Sequence, residues 1–298
     1  MAMVVYWSQR ETWMPRLTTL IAHSWVGLAM TGLVGLSSVA AAAETPPARM
    51  VDLTYDVYLG GLHIFTLDVD MTLQADRYRV AAEGGTQGMV GWLYEWQTRL
   101  AAEGVDRNGR IEPQRYDVES NWQGNQRTVQ LGFAEDGRYD LQQTPPPEPD
   151  PDIEGALPES LPEGIVDPLS LALAASRALE ESGRCDQTVP VFDGRRRYDL
   201  TLRHIDEATL PPSEYSLYHG PAVRCSFSMK RISGFRKSWR TKRQVDADAS
   251  PPTIWVAAIR EDLPPLPVRY DGAIALGNIV IHLTKAQVRS GSEEAVAD

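Results

Sequence analysis

The chain has 298 residues, of which 43% are apolar and 23% charged, and its formal net charge is −11. This is globular composition, with enough length to bury a substantial core. The acidic balance excludes a protein that coats nucleic acid or anionic lipid through its overall field, so any such contact has to be local.

Residues 1–43 read as a targeting segment and not as part of the fold. Arg10 and Arg16 precede a stretch, 17–43, without a formal charge, and that stretch ends in Ser37-Ser38-Val39-Ala40-Ala41-Ala42-Ala43. A basic start, an apolar centre and small residues at the end make the pattern of a secretory signal, with cleavage expected after Ala43. Met14 ahead of Pro15-Arg16 would give a shorter signal from a later start. The alternative is an uncleaved anchor, since an uncharged run of this length could span a bilayer. With no Cys at the cleavage point, a lipoprotein anchor is not expected, and residues 44–298 are read as one soluble β-rich domain in the periplasm.

After Ala43 the sequence alternates with period two. Val51, Leu53, Tyr55, Val57 and Leu59 point one way and Asp52, Thr54 and Asp56 the other, as a half-buried strand requires. Gly60-Gly61 supplies a tight turn. Phe65, Leu67, Val69, Met71 and Leu73 then repeat the pattern, with Asp68 and Asp70 on the solvent side, so the chain opens with a hairpin. Further strands are expected near 76–84, 92–103, 114–122, 126–133, 188–192, 197–204, 214–218, 223–231, 253–259, 267–274 and 279–284. So many regularly spaced strands predict a mainly β fold, a curved antiparallel sheet forming a barrel or half-barrel with one covering helix.

Residues 144–166 break the rhythm. They are rich in Pro and acidic residues, and neither Lys nor Arg recurs before Arg177. The expectation is a long surface loop, either solvated or an acidic docking arm. A helix follows: Asp167 caps it, Pro168 takes the first position, Leu169, Ala172, Leu173, Ser176 and Leu179 recur at helical spacing, and Gly183 ends it. Cys185 and Cys225 are the only cysteines in the chain. In an exported protein an even count points to a disulfide, with two buried thiols as the alternative.

Chemistry-bearing motifs are few. Gly-x-Ser-x-Gly, His-Glu-x-x-His and Gly-Lys-Ser/Thr do not occur after residue 43, so no catalytic residue is assigned. His63, His204, His219 and His282 are isolated in sequence, and no metal or cofactor is expected. Two stretches stand out. In residues 89–96, Trp92, Tyr94 and Trp96 would line one face of a strand, at the mouth of an apolar cavity or simply in the core. In residues 230–243, seven of fourteen residues are basic. Arg231, Arg236, Lys237, Arg240, Lys242 and Arg243 could meet anionic lipid headgroups, or could keep an edge strand from pairing. Nucleic acid would fit the same composition but is not expected as a partner of an exported protein.

Taken together, Tyr55-Asp56-Val57-Tyr58-Leu59-Gly60-Gly61, Asp167-Pro168, Cys185 leading into residues 191–198, residues 218–225 and Ile232-Ser233-Gly234-Phe235 resemble the bacterial domain-of-unknown-function 3108 (DUF3108) family of exported proteins. The resemblance covers most of residues 50–285. It implies a curved antiparallel sheet broadly similar to the periplasmic lipoprotein carriers, and no known reaction. The function expected is a periplasmic cell-envelope protein, not an enzyme, that binds a lipid or other apolar ligand and touches the membrane at most peripherally. The alternatives are an interaction scaffold with an envelope protein partner and a hydrolase of envelope polymers.

Overall fold

A computed structural model describes residues 48–146, 150–237, 251–274 and 277–290. The expected signal at 1–43 and the basic residues Arg240, Lys242 and Arg243 lie outside the described residues. The elements in chain order are β1 (Arg49–Leu59), β2 (Leu62–Leu73), β3 (Arg77–Thr86), α1 (Gly88–Leu93), β4 (Trp96–Arg107), β5 (Arg110–Trp122), β6 (Asn125–Phe133) and β7 (Tyr139–Thr144). They continue as β8 (Ile153–Glu154), α2 (Pro168–Ser182), β9 (Gln187–Phe192), β10 (Arg197–Leu210), β11 (Gly220–Ser233), β12 (Phe235–Arg236), β13 (Thr253–Ala257), β14 (Leu266–Ile274) and β15 (Gly277–Ser290).

Thirteen strands form one antiparallel sheet in the order β7-β6-β5-β4-β3-β2-β1-β15-β14-β13-β11-β10-β9. The first strand, β1, therefore lies in the middle of the sheet, and the chain meanders from it out to the β7 edge. It then crosses over to the opposite edge at β9 and meanders back until β15 pairs with β1 from Arg49↔Ser290 to Leu59↔Ile279. The alternation read from sequence is the physical cause: Val51, Leu53, Met71, Leu73, Val80, Leu100, Val118 and Leu131 all face one side and are buried.

The sheet stays open between β7 and β9, and the crossover segment fills the gap. Leu161 N donates to Gly137 O at 2.8 Å, Val166 N to Pro190 O at 3.0 Å, and Phe192 N to Val166 O at 2.9 Å. Leu161 and Val166 are buried, and the Tyr139 and Phe192 rings meet edge to face at 5.2 Å. The stretch 144–166 is thus not a free solvated loop: it straps the half-barrel and carries β8, which pairs with β12.

The predicted helix is α2, with Asp167 as cap and Gly183 in the left-handed conformation at its end. It lies on the inner side of the sheet, packed against β4, β5, β9 and β14. Leu169, Leu173 and Leu179 are buried there, each stabilising by about 2 kcal/mol. This offsets Glu180 and Glu181 at the unfavourable end of the helix dipole. The helix therefore covers the inner face of the half-barrel with its apolar side and leaves Ala172, Glu180 and Glu181 exposed. Cys185 and Cys225 are joined by a disulfide with Cα atoms 6.3 Å apart, tying the chain just beyond α2 to the middle of β11.

Three expectations about elements need correction. Residues 92–94 are not strand: α1 occupies 88–93 and β4 starts at Trp96. Residues 214–218 form a turn laid over the outside of β15, with Leu217 N donating to Leu283 O at 2.8 Å. Residues 139–144, not expected as a strand, form the edge strand β7.

Candidate functional site

The β1–β2 turn, α1 and the β5–β6 turn converge on one end of the half-barrel. Gln87 N donates to Ile64 O at 3.0 Å and Gln123 N to Glu95 O at 2.9 Å, while Thr86 Oγ1 donates to Tyr94 O at 2.9 Å. These bonds splice α1 onto the strand ends beside it. α1 buries none of its residues. Trp92 is 85% exposed, Met89 73%, Leu93 57% and Tyr94 55%, and Leu62 and Trp122 beside them are exposed as well.

Of the three aromatic residues singled out in sequence, Trp92 and Tyr94 belong to this exposed crown. Trp96 turns inward instead, 4.8 Å from the Phe65 ring and 6.1 Å from that of Trp122. Gly84 permits this packing, because a Cβ there would lie 2.6 Å from the Phe65 ring. Beneath the aromatic rings, Thr98 and Ser120 face each other across β4 and β5. Both are buried, and Thr98 Oγ1, Ser120 Oγ and Trp96 Nε1 find no hydrogen-bond partner in the protein.

The described part of the basic stretch is folded against the acidic segment. Arg236 pairs with Asp150 at 2.8 Å and with Asp152 at 3.7 Å. Lys237 Nζ donates to Pro151 O at 2.8 Å, and the Arg231 guanidinium stands 5.2 Å from the Phe235 ring centroid. Two segments read separately in sequence, one acidic and one basic, therefore meet. Arg231 pairs with Tyr198 of β10, and β13 covers the other side of β11 only over Val223–Ser226.

Two groupings were not found by sequence reasoning. The first is a cleft of about 800 Å³ at the seam between the β7 edge and the β9–β10 turn, lined by Arg127, Arg195, Arg196, Arg236, Gln143 and Asp150. These arginines are scattered over 110 positions of an acidic chain, so only the topology brings them together. The second is on the outer surface, where Tyr58 packs on His63 at 5.2 Å and on Tyr215 at 5.5 Å, and Tyr215 on His282 at 6.3 Å. There His63 Nε2 lies 3.2 Å from Asp56 Oδ1. Burial lowers the His282 pKa, helped by Arg269. Pairing of β15 with β1 and of β1 with β2 brings these rings close, which no spacing in the sequence signals.

Among the described residues, no group of three or more His, Cys, Asp or Glu is arranged to hold a metal ion. No helix among them is long and apolar enough to cross a membrane.

A family model described as a protein of unknown function, DUF3108, matches residues 54–284. No curated protein matches the chain. A similar solved structure is the β-barrel-like protein of a domain of unknown function, DUF1849, from Brucella abortus. It is 12% identical, with 82% of this chain and 98% of that chain covered at a TM-score of 0.44.

Proposed function

The chain belongs to the DUF3108 family, and from that premise we propose that it is an exported envelope protein that engages lipid at the aromatic end of its half-barrel and catalyses no reaction. The observation that carries this reading is the crown of Leu62, Met89, Trp92, Leu93, Tyr94 and Trp122, all exposed at one end of an acidic chain. A soluble monomer rarely leaves so many large apolar side chains together in water, and such patches mark surfaces with an apolar partner. Trp and Tyr favour the boundary between acyl chains and headgroups, where one edge of the ring is dry and the other wet. Because α2 occupies the inner side of the sheet over β4, β5, β9 and β14, on this reading lipid is taken at the rim and not in the middle of the barrel. The disulfide supports an oxidising compartment, and the missing hydrolase and phosphate-loop signatures favour binding over catalysis.

The test is sedimentation of the purified protein with phosphatidylcholine vesicles, together with lipid extraction from protein recovered from its native cells. The protein should sediment with vesicles, and a Met89→Ser, Trp92→Ser double variant should lose several-fold in partitioning while remaining folded, because both side chains are exposed. Absence of vesicle binding together with absence of extracted lipid overturns the reading, as does a double variant that partitions like the parent.

A further inference from the structure

The cleft at the seam of the half-barrel concentrates positive charge in an acidic protein. We propose that it is a binding site for a phosphate ester. Arg127, Arg195, Arg196 and Arg236 bring four guanidinium groups to one cleft of about 800 Å³, against Asp150 as the carboxylate in its lining. The chain as a whole carries −11, so this accumulation runs against the overall composition. Asp150 and Asp152 both pair with Arg236, and Asp193 lies 3.8 Å from Arg196.

Arg127 has a different position. It stands opposite Ser120 on the inner face of β6, and among the described residues it makes no ion pair. An exposed arginine that lines a cleft with other arginines leaves its donors to solvent or to an anion, and the planar fork of guanidinium donors matches the oxygens of a phosphate.

A second feature narrows the ligand. Gln143 faces the same side as Val129, its pairing partner on β6, and its amide nitrogen donates to Gly194 O at 2.9 Å. That bond fixes the amide so that Oε1 is buried with no partner in the protein. A buried acceptor left alone costs about 1–3 kcal/mol. A ligand with a hydroxyl next to its phosphate would answer both groups, the phosphate at the arginines and the hydroxyl at Gln143. Glycerol phosphate, whether free or as the headgroup of phosphatidylglycerol, has that chemistry.

Backbone geometry holds the site in shape. Gly234 has φ +80°, and a Cβ there would lie 1.9 Å from Arg195 O, while its N–H donates to Glu154 O at 2.8 Å. The turn that carries Arg195 and Arg196 is thereby pressed against the strand pair β8–β12 that carries Arg236. The inference goes beyond the lipid reading and does not depend on it, because a soluble phosphate ester tests the cleft without a bilayer.

The experiment is calorimetric titration of the purified protein with sn-glycerol 3-phosphate, inorganic phosphate and the soluble short-chain lipid dihexanoyl phosphatidylglycerol. Binding should weaken tenfold or more in Arg127→Gln, recover in part in Arg127→Lys, and stay unchanged in Arg115→Gln, whose side chain pairs with Asp117 elsewhere on the surface. Gln143→Leu should weaken glycerol phosphate several-fold and inorganic phosphate hardly at all. Tighter binding of the short-chain lipid than of glycerol phosphate identifies a lipid headgroup as the source, and equal binding identifies a soluble ester. No binding of any of the three probes, or binding that Arg127→Gln leaves intact, overturns the proposal. Failure of the crown variants to change vesicle binding would leave this result untouched.

Discussion

Asp167 shows how much of one residue's behaviour follows from where the fold puts it. Its Oδ1 accepts from Leu169 N at 2.8 Å and Ser170 N at 3.0 Å, as a helix cap should, and its other oxygen accepts from Ser170 Oγ. Ser170 Oγ in turn lies 2.7 Å from Tyr78 OH. Those donors favour the ionised form, yet full burial outweighs them and raises the pKa to about 6. Between the ordinary carboxyl value and about 6, the folded protein keeps a proton that the unfolded chain has already released. Stability therefore falls as pH rises through that window and levels off above it. The contribution is on the order of 2–3 kcal/mol, since each tenfold change in proton affinity is worth about 1.4 kcal/mol. Asp167→Asn keeps the cap acceptor and has nothing to titrate. Between pH 4 and pH 7 the denaturant midpoint should fall further for the parent than for the variant, and equal falls would sink the assignment. The cap was legible from Asp167-Pro168 alone. The burial was not, because it depends on Tyr78 arriving from a strand 92 positions away from Ser170.

At the scale of elements, regular strands and α2 were legible where one face is dry and the other wet. β1 and β2 alternate cleanly because they lie in the middle of a sheet with one covered face, and Gly60-Gly61 closes their hairpin with positive φ at both residues. α1 was misread because six apolar and small residues fit a period of two as well as a period of 3.6. β7 escaped because Asp140, Gln142 and Gln143 have low strand propensity, and edge pairing to β6 alone makes it a strand. The contact between the basic and acidic stretches was invisible for another reason: it is made by the pairing of β8 with β12, which are two residues each and more than 80 positions apart.

The disulfide has a testable consequence at this same scale. It closes 40 residues, a restriction of the unfolded chain worth about 4 kcal/mol in the loop-entropy account. In the folded protein it pins the exit of α2 to β11 within a small cluster of Leu202, Ala175 and Ile254. The buried residues of β1 to β5 belong to the main core and not to this cluster. On reduction, amide exchange should rise first in the last turn of α2, in β9 and in the middle of β11. Exchange that rises uniformly along the chain would refute that order.

For the molecule as a whole, the strand order makes the two ends of the chain mutually dependent. β1 and β15 are neighbours at the centre of the sheet, so the segment from β1 to β7 and the segment from β9 to β15 are two half-sheets joined along one strand pair. Neither can be complete alone. The first half would expose β1 as an unpaired central strand and would lack α2, which packs on β5 and whose Leu169 and Leu173 share the common core with Tyr116 and Val118. The second would keep α2 but present it with no β4 or β5 to pack on. Burial of apolar area therefore rewards only the assembled sheet, and unpaired central strands are prone to aggregate. A cut in the strap between β7 and β8 separates the halves without removing a strand. Fragments 44–146 and 150–298 made separately should each fail to unfold cooperatively. Refolded together under oxidising conditions, they should form a one-to-one complex that migrates on size exclusion like the intact chain and shows its strand-type circular dichroism. A cooperative transition from the first fragment alone would mean that its half-sheet is an independent domain and that α2 and the strap are additions to it, with the crown already in place at its end.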